Sequence, residues 1–293
     1  MSDTHFISVH EIYLSILKYS FPMAKQKDYH TRSFSPNRQI LADYNDVAAS
    51  LHRVCGIVEI DITKPLAKME EIEQYENYKV SMTGWVAKCI SQAVMDNPHL
   101  NSYRIRRKLI VFDTVDISII IELTTKSGKK IPYNYVIRNV ETKSVRMITD
   151  EIRVAQTKEI SDRDQLTRDS STYLSFYTIL PKFFRRFVIR KMITNPFRLR
   201  KLIGTVGITS LGMFLKGQGG WAIPFADKTL NVALGGIKEI AIVKGGVVEE
   251  RKLLCTTFLI DHNIVDGAPA TRFIKQVSEI LGETTYLKDL DRI

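Results

Sequence analysis

Among the side chains of this 293-residue sequence that can move a proton at neutral pH, His262 has the most constrained setting. It lies in the run Leu259-Ile260-Asp261-His262-Asn263-Ile264-Val265-Asp266-Gly267-Ala268-Pro269. Before it, Leu253 to Ile260 reads as a strand, a continuous apolar run holding the β-formers Thr256, Thr257, Phe258 and Ile260. After it, Ala270, Phe273, Ile274, Val277 and Leu281 recur at helical spacing, with Pro269 in a first turn that tolerates a missing N–H. A histidine on a turn between strand and helix is held rigidly with one edge open, which a general base requires. Asp266, just ahead of Gly-Ala-Pro, reads as a helix cap. Hydroxyls come from Gly204 to Gly212, a strand and turn holding Thr209 and Ser210. On residue types alone that Ser-Leu-Gly is turn chemistry. Gly207-Ile208-Thr209-Ser210-Leu211-Gly212 is one residue too long for a Gly-x-Ser-x-Gly nucleophile elbow, which disfavours a hydrolase triad. Gly217-Gln218-Gly219-Gly220 lacks the Lys-Ser/Thr of a phosphate-binding loop.

Composition narrows the classes further. The six histidines, at 5, 10, 30, 52, 99 and 262, form no pair with Cys or carboxylates at metal-ligand spacing, so no metal site is expected. Cys55, Cys89 and Cys255 are odd in number and sit in apolar patterns, as reduced buried thiols do. No apolar run approaches the roughly 20 residues that span a bilayer, and Phe6 to Phe21 is interrupted by His10, Glu11 and Lys18 without the marks of a signal peptide; a cytoplasmic protein is expected. A formal net charge of +10 favours anionic partners. Nucleic acid is not expected among them, because no recognition-module signature appears and the aromatics are not interleaved with the basic residues.

The elements that must position these side chains follow from periodicity. Ser8 to Ser20 carries a helical stripe ended by Pro22. Ser35-Pro36 opens a second helix, with Ile40, Leu41, Tyr44, Val47, Ala48 and Leu51 on one face. Arg38 lies in its first turn, where a cation opposes the helix dipole, and so calls for a carboxylate. Val54 to Ile62 reads as a strand, Thr63 to Met69 as a short helix, and Met82 to Met95 as a helix stopped by Asn97-Pro98. Leu109 to Phe112, Val115 to Leu123 and Ile131 to Arg138 are predicted strands, the last two joined at Ser127-Gly128, and a long helical region starts at Val145. Thr178 to Leu202 is amphipathic: Leu180, Phe183, Phe184, Phe187, Val188 and Met192 make an apolar stripe, expected to pack on the protein's own body, and Lys182, Arg185, Arg186, Arg190 and Lys191 cover the other side. Trp221 to Phe225, Thr229 to Gly235, Glu239 to Lys244 and Leu253 to Ile260 are predicted strands, with a hairpin at Gly245-Gly246. Helices and strands without strict alternation imply an α/β fold, a two-layer sandwich of a mixed β-sheet flanked by helices.

The run His-x-x-x-Asp-Gly-Ala-Pro between strand and helix resembles the active-site segment of dihydrolipoamide acyltransferases, the acyl-transferring components of 2-oxoacid dehydrogenase complexes, to which chloramphenicol acetyltransferase is similar. Phe34-Ser35-Pro36-Asn37-Arg38 resembles the opening of their catalytic domain. Val58 to Thr63, Asn97 to Asn101, Val115 to Ile119, Ile131 to Asn139 and Leu234 to Ile237 resemble later parts. The likeness runs in order from about Phe34 to Leu287. It implies a chloramphenicol acetyltransferase-like catalytic domain at 34–293 after a helical extension at 1–33, with an inserted basic helix near 178–202. It also implies a CoA-dependent acyltransferase acting between a thioester and a thiol or other nucleophile, with coenzyme A as substrate. His262 would be the general base, Ser210 the oxyanion donor with Thr209 as second choice, and Asp266 the residue holding the loop, itself held by Arg38. A homotrimer or a larger assembly of trimers, with active sites between subunits, is further implied. No lipoyl-lysine module precedes the catalytic motifs, so a lipoyl or carrier domain would come from another chain. Two departures stand out: Phe225-Ala226-Asp227-Lys228 replaces a proline-rich turn, and Asn263 replaces an arginine. The competing reading is a non-catalytic binding or assembly protein of the same fold, whose basic helix 180–192 contacts a partner or a membrane surface.

Overall fold

The computed structural model describes residues 30–49, 52–125, 128, 130–157, 177, 179–212 and 219–290. The predicted helix at Ser8 to Ser20 lies outside them. Residue contacts set 1–35 apart from 36–293.

Its frame is a six-stranded sheet. The strands are β1 (Arg53–Asp61), β4 (Ile117–Thr124), β5 (Lys130–Ile137), β6 (Val206–Ser210), β7 (Leu230–Lys244) and β8 (Val247–Asp261), in the order β1-β8-β7-β6-β4-β5. The short strand β6 runs parallel to both neighbours, β4 and β7, and the other pairings are antiparallel. The mixed sheet is therefore as the sequence implies. A separate ribbon joins β2 (Ser102–Ile105) to β3 (Lys108–Val111). Of these, β2 was not foreseen: at four residues it is too short to show alternation.

Alternation along the strands decides which face the helices cover. Ile117, Ile119 and Ile121 of β4, Val206 and Ile208 of β6, Leu230, Val232 and Leu234 of β7, and Leu254, Phe258 and Ile260 of β8 share one buried core. Against it lie α3 (Met82–Asp96), α4 (Val145–Gln156) and α7 (Gly267–Leu281). Helix α3 is apolar enough to be buried over most of its length, with Trp85 fully enclosed, and Phe273 of α7 meets Phe258 edge-on at 6.2 Å. Each large side chain so enclosed contributes about 1.5–3 kcal/mol of apolar burial. Helices α1 (Pro36–Ala48) and α2 (Thr63–Glu76) complete the N-terminal half, α2 running a turn and more beyond the predicted end at Met69.

The opposite face is not covered by these helices, which explains one misreading: Cys55 lies on edge strand β1 and is exposed, whereas Cys89 and Cys255 are buried. Residues 221–225, a predicted strand, form no ladder. The chain there crosses the sheet, Gly236 N donating to Gly220 O at 2.9 Å and Trp221 Nε1 to Val58 O at 3.3 Å. A Cβ on Gly235 would sit 2.0 Å from Gly220 O, so only glycine permits this crossing. The two strands expected at 229–235 and 239–244 are one strand, β7, with an irregularity between Leu234 and Ile237. Its hairpin with β8 turns at Gly245 (φ 59°) and Gly246 (φ 83°), the two left-handed positions of a type I′ turn.

The amphipathic stretch is two helices, α5 (Lys182–Ile193) and α6 (Pro196–Ile203), broken where Asn195 caps Arg198 N ahead of Pro196. On the single chain Phe183, Phe184 and Phe187 are exposed rather than packed on their own domain, and Ile189 is the buried residue of α5. Ion pairs rather than phenyl rings hold this helix to α1. Arg185 Nε donates to Asp43 Oδ2 at 2.8 Å and Arg186 Nη2 to Asp46 Oδ2 at 2.8 Å.

Candidate active site

His262 is the first residue after β8, and its turn is fastened at both ends. The His262 N–H donates to His52 O at 2.7 Å, and Asp261 N to Thr229 O at 3.0 Å. Asp261 is buried and its Oδ1 accepts from Asn263 N at 3.0 Å and Asn263 Nδ2 at 2.8 Å. Ile264 N and Val265 N close the turn on Asp261 O at 3.0 and 3.1 Å. Val265, buried, anchors its far side in the core. Asn263, where the resemblance expects arginine, thus serves to tie the turn down. The backbone under His262 is rigid, while its side chain remains 46% exposed. A half-exposed imidazole on a tied-down turn has the geometry to exchange a proton with a docked group.

Asp266 occupies the N-cap position of α7 in an extended conformation (φ −74°, ψ 167°), but its side chain makes no capping hydrogen bond. Its carboxylate is 86% exposed, with Oδ1 3.9 Å from His262 Nδ1. That separation is too long for a hydrogen bond and short enough for a charge to be felt. No ion pair joins Arg38 to Asp266 among the described residues. Arg38 lies exposed on α1, while Asp266 gains its favourable field from the helix N-terminus it begins.

The hydroxyl candidates stand elsewhere on the sheet. Thr209 and Ser210 are the last two residues of β6, both half-buried, and the pleat turns them to opposite faces. Ser210 shares the helix-covered face with Val206 and Ile208. Thr209 shares the other face with Gly207, whose Cβ direction meets Asn231 Nδ2. Register places Ser210 level with Leu234 and Thr256. Thr256 lies six residues before His262 on β8, roughly 20 Å at strand rise. Within one chain the imidazole and either hydroxyl therefore cannot touch the same carbonyl.

A charged cluster beside the histidine turn was missed from the sequence. Asp227 accepts from Lys228 Nζ at 2.7 Å and Tyr44 Oη at 2.8 Å, while Lys228 N donates to Asn231 Oδ1 at 3.0 Å. Burial alone would raise the Asp227 carboxyl, but Lys228 and the hydrogen bonds of Tyr44 and Asn231 outweigh it and hold the group below the usual carboxylate range. Burial and the adjacent Asp227 push the Tyr44 phenol far up. A cavity of about 100 Å³ lies between this cluster and the turn, lined in part by Tyr44, Tyr103, Asp227, Lys228, Asp261 and Ile264. The available signal was Asp227-Lys228 itself, the only charged pair in the otherwise uncharged run 217–237. Among the described residues no group of three or more His, Cys, Asp or Glu is gathered as metal ligands, and no helix is long and apolar enough to cross a membrane.

A family model described as 2-oxoacid dehydrogenases acyltransferase (catalytic domain) matches residues 27–171 and 201–287. The lipoamide acyltransferase component of the branched-chain alpha-keto acid dehydrogenase complex of Bacillus subtilis is 20% identical over 266 residues, 89% of this chain and 54% of that protein. The mitochondrial dihydrolipoyllysine-residue succinyltransferase component of the 2-oxoglutarate dehydrogenase complex of Saccharomyces cerevisiae is 26% identical over 243 residues, 82% of this chain and 44% of that one. The chain spans about half the length of these curated relatives. Among solved structures, a dihydrolipoamide acetyltransferase of Azotobacter vinelandii superposes with a TM-score of 0.63 at 18% identity, covering 91% of this chain and 98% of that one. That structure belongs to an investigation of a serine, a histidine and an asparagine in the catalytic mechanism of its enzyme, and at this identity the likeness shows the fold alone.

Proposed function

Because the chain belongs to the family of 2-oxoacid dehydrogenase acyltransferase catalytic domains, we propose that it transfers an acyl group between the thioester of coenzyme A and an acceptor thiol, with His262 as general base. The observation that carries this reading is the pinned turn, which leaves a half-exposed imidazole on a fixed backbone inside the matched segment. A thiol with its ordinary pKa near 8.5 is mostly protonated at neutral pH and needs a base to become a nucleophile. Neutral His262 takes the S–H proton as sulfur attacks the thioester carbonyl carbon. A C–S bond forms, and the carbonyl electrons move to oxygen. The oxyanion then collapses, the other C–S bond breaks, and the departing thiolate takes the proton back from the imidazolium.

The oxyanion needs a donor, for which Ser210 is the first choice and Thr209 the second. Since about 20 Å of strand separates either from His262 in one chain, the complete site lies between copies, His262 of one subunit facing the hydroxyl of the next. A homotrimer follows as the assembly, possible within a larger particle of the kind seen in the cubic core of a pyruvate dehydrogenase complex. The acceptor is a dihydrolipoyl group or carrier thiol presented by a separate domain.

Thioester exchange between acetyl-CoA and dihydrolipoamide tests the reading. His262→Ala is expected to lose roughly 10²–10⁴-fold in turnover with fold and oligomer unchanged; a fully active variant ends the proposal. Ser210→Ala is expected to lower kcat by roughly 10²-fold with KM little changed. Because the two hydroxyls face opposite sides of β6, loss in Thr209→Ala with an active Ser210→Ala reassigns the donor.

A further inference from the structure

The inward side of α5 is held by ion pairs, and its outward side carries exposed phenylalanines flanked by cations. Arg185 and Arg186 turn to Asp43 and Asp46, leaving Phe183, Phe184 and Phe187 exposed by 75, 45 and 59%. Arg190 and Lys191, also exposed, continue the helix, and among the described residues no carboxylate forms an ion pair with either. Phe184 and Phe187 lean on each other, centroids 6.4 Å apart and planes tilted by 40°. Ile179, Phe197 and Leu202 extend the exposed apolar set on either side of the helix. From Ser170 through Ala226 the sequence holds nine lysines and arginines and no aspartate or glutamate, so every permanent charge in this stretch is positive. Residues 172–200 fall between the two segments of the family match, which does not extend to this helix.

Charge complementarity selects the occupant. A second copy docked symmetrically on this face would set cations against cations; a head-to-tail contact between copies, as in a trimer, escapes that, and the molar mass of a phenylalanine variant tests it. A nucleic-acid strand would satisfy the cations and stack on aromatic faces, but Ile179 and Leu202 offer nothing to a base and the leaning rings of Phe184 and Phe187 are not a free platform. A lipid surface uses both chemistries, burying phenyl and aliphatic groups at the acyl boundary while arginine and lysine meet anionic headgroups. We propose that α5 is an interfacial helix that docks this protein on an anionic membrane, with Phe183, Phe184 and Phe187 inserted and Arg190 and Lys191 at the headgroups. The proposal is independent of the acyl-transfer reading.

Co-sedimentation of the full chain with phosphatidylcholine vesicles, with and without about one third phosphatidylserine, is the test. Binding is expected only to the anionic vesicles, weakening as salt is raised. Arg190→Ala with Lys191→Ala is expected to weaken it roughly thirtyfold, at about one headgroup interaction per cation removed. Phe183→Ser with Phe187→Ser should weaken it by roughly tenfold or more while leaving molar mass and acyl transfer unchanged. Equal binding to neutral and anionic vesicles, or none to either, overturns the proposal. A change of molar mass in the phenylalanine variant also overturns it, by making the face a contact between copies. Tight binding to heparin that the phenylalanine variant retains, together with undiminished vesicle binding by that variant, overturns it in favour of a polyanion site.

Discussion

Substituting Asp116 by asparagine probes how α6 is tied to the sheet. This carboxylate is buried and accepts from Arg200 Nε at 2.7 Å, Arg138 Nη1 at 2.9 Å and Asn139 N at 3.0 Å. Arg138 Nη1 reaches Arg200 O at 2.9 Å, and Arg200 also touches Thr114 Oγ1 at 2.6 Å and stacks over Phe112 at 4.9 Å. Burial pushes the Asp116 carboxyl up, but the Arg200 hydrogen bond, the Asn139 N–H and Arg138 together outweigh it and hold the group below its ordinary value. An amide keeps the shape and removes the charge, leaving two guanidinium groups opposed across it. Breaking one side of a buried pair costs about 3–5 kcal/mol. The side chains of Arg138 and Arg200 are 41 and 29% exposed, so water recovers part of this, and about 3 kcal/mol is expected. Urea unfolding measures it, as a shifted midpoint at unchanged slope. Adding Arg200→Met removes one orphaned cation, so the double variant should be less destabilised than the two singles summed. Asp116→Asn within about 0.5 kcal/mol of the parent refutes the reasoning.

Two further predictions concern the core and the α1–α5 contact. Thr257 Oγ1 is buried with no hydrogen-bond partner among the described residues, so Thr257→Val should leave stability unchanged or raise it by up to about 1 kcal/mol, and a clear loss in urea means the hydroxyl is satisfied. Burial raises the Asp43 carboxyl, yet Arg185 and Tyr177 together hold it below its ordinary value. A depressed folded-state pKa gives stability that is complete above the unfolded value of about 3.9 and fades as pH falls through the folded one. The stability advantage over Asp43→Asn should therefore shrink below about pH 4, and an advantage that grows on acidification contradicts the assignment.

What the sequence shows depends on whether an element is specified locally. The ends of β1, β4 and β5 fall within a residue or two of expectation because apolar alternation is strict there, and Gly245-Gly246 announces its own turn. Residues 221–225 look like a strand because their side chains suit a pleated surface, but their backbone passes over Gly235 and has no neighbour to pair with; propensity carries no information about that. Periodicity found the phenylalanine stripe of α5 but not which side faces inward, since Asp43 and Asp46, about 140 positions away, reverse it. The position of His262 was readable from its strand and helix. Its distance from Ser210 was not, because that depends on register between β6, β7 and β8.

The pairing of β1 with β8 also sets a clock. Asp61 and Leu253, neighbours in the finished sheet, are separated by nearly the whole domain, and closing such a loop costs on the order of 5 kcal/mol in chain entropy. At roughly 5–20 residues per second, a ribosome emits β1 on the order of 10–40 seconds before its partner exists. During that interval a β-forming segment containing Ile57, Val58 and Ile60 has no ladder to join, and other copies of the same segment are its nearest substitutes. The growing chain is thus most vulnerable to aggregation at its first strand, and the protection arrives last, with the same strand that delivers His262.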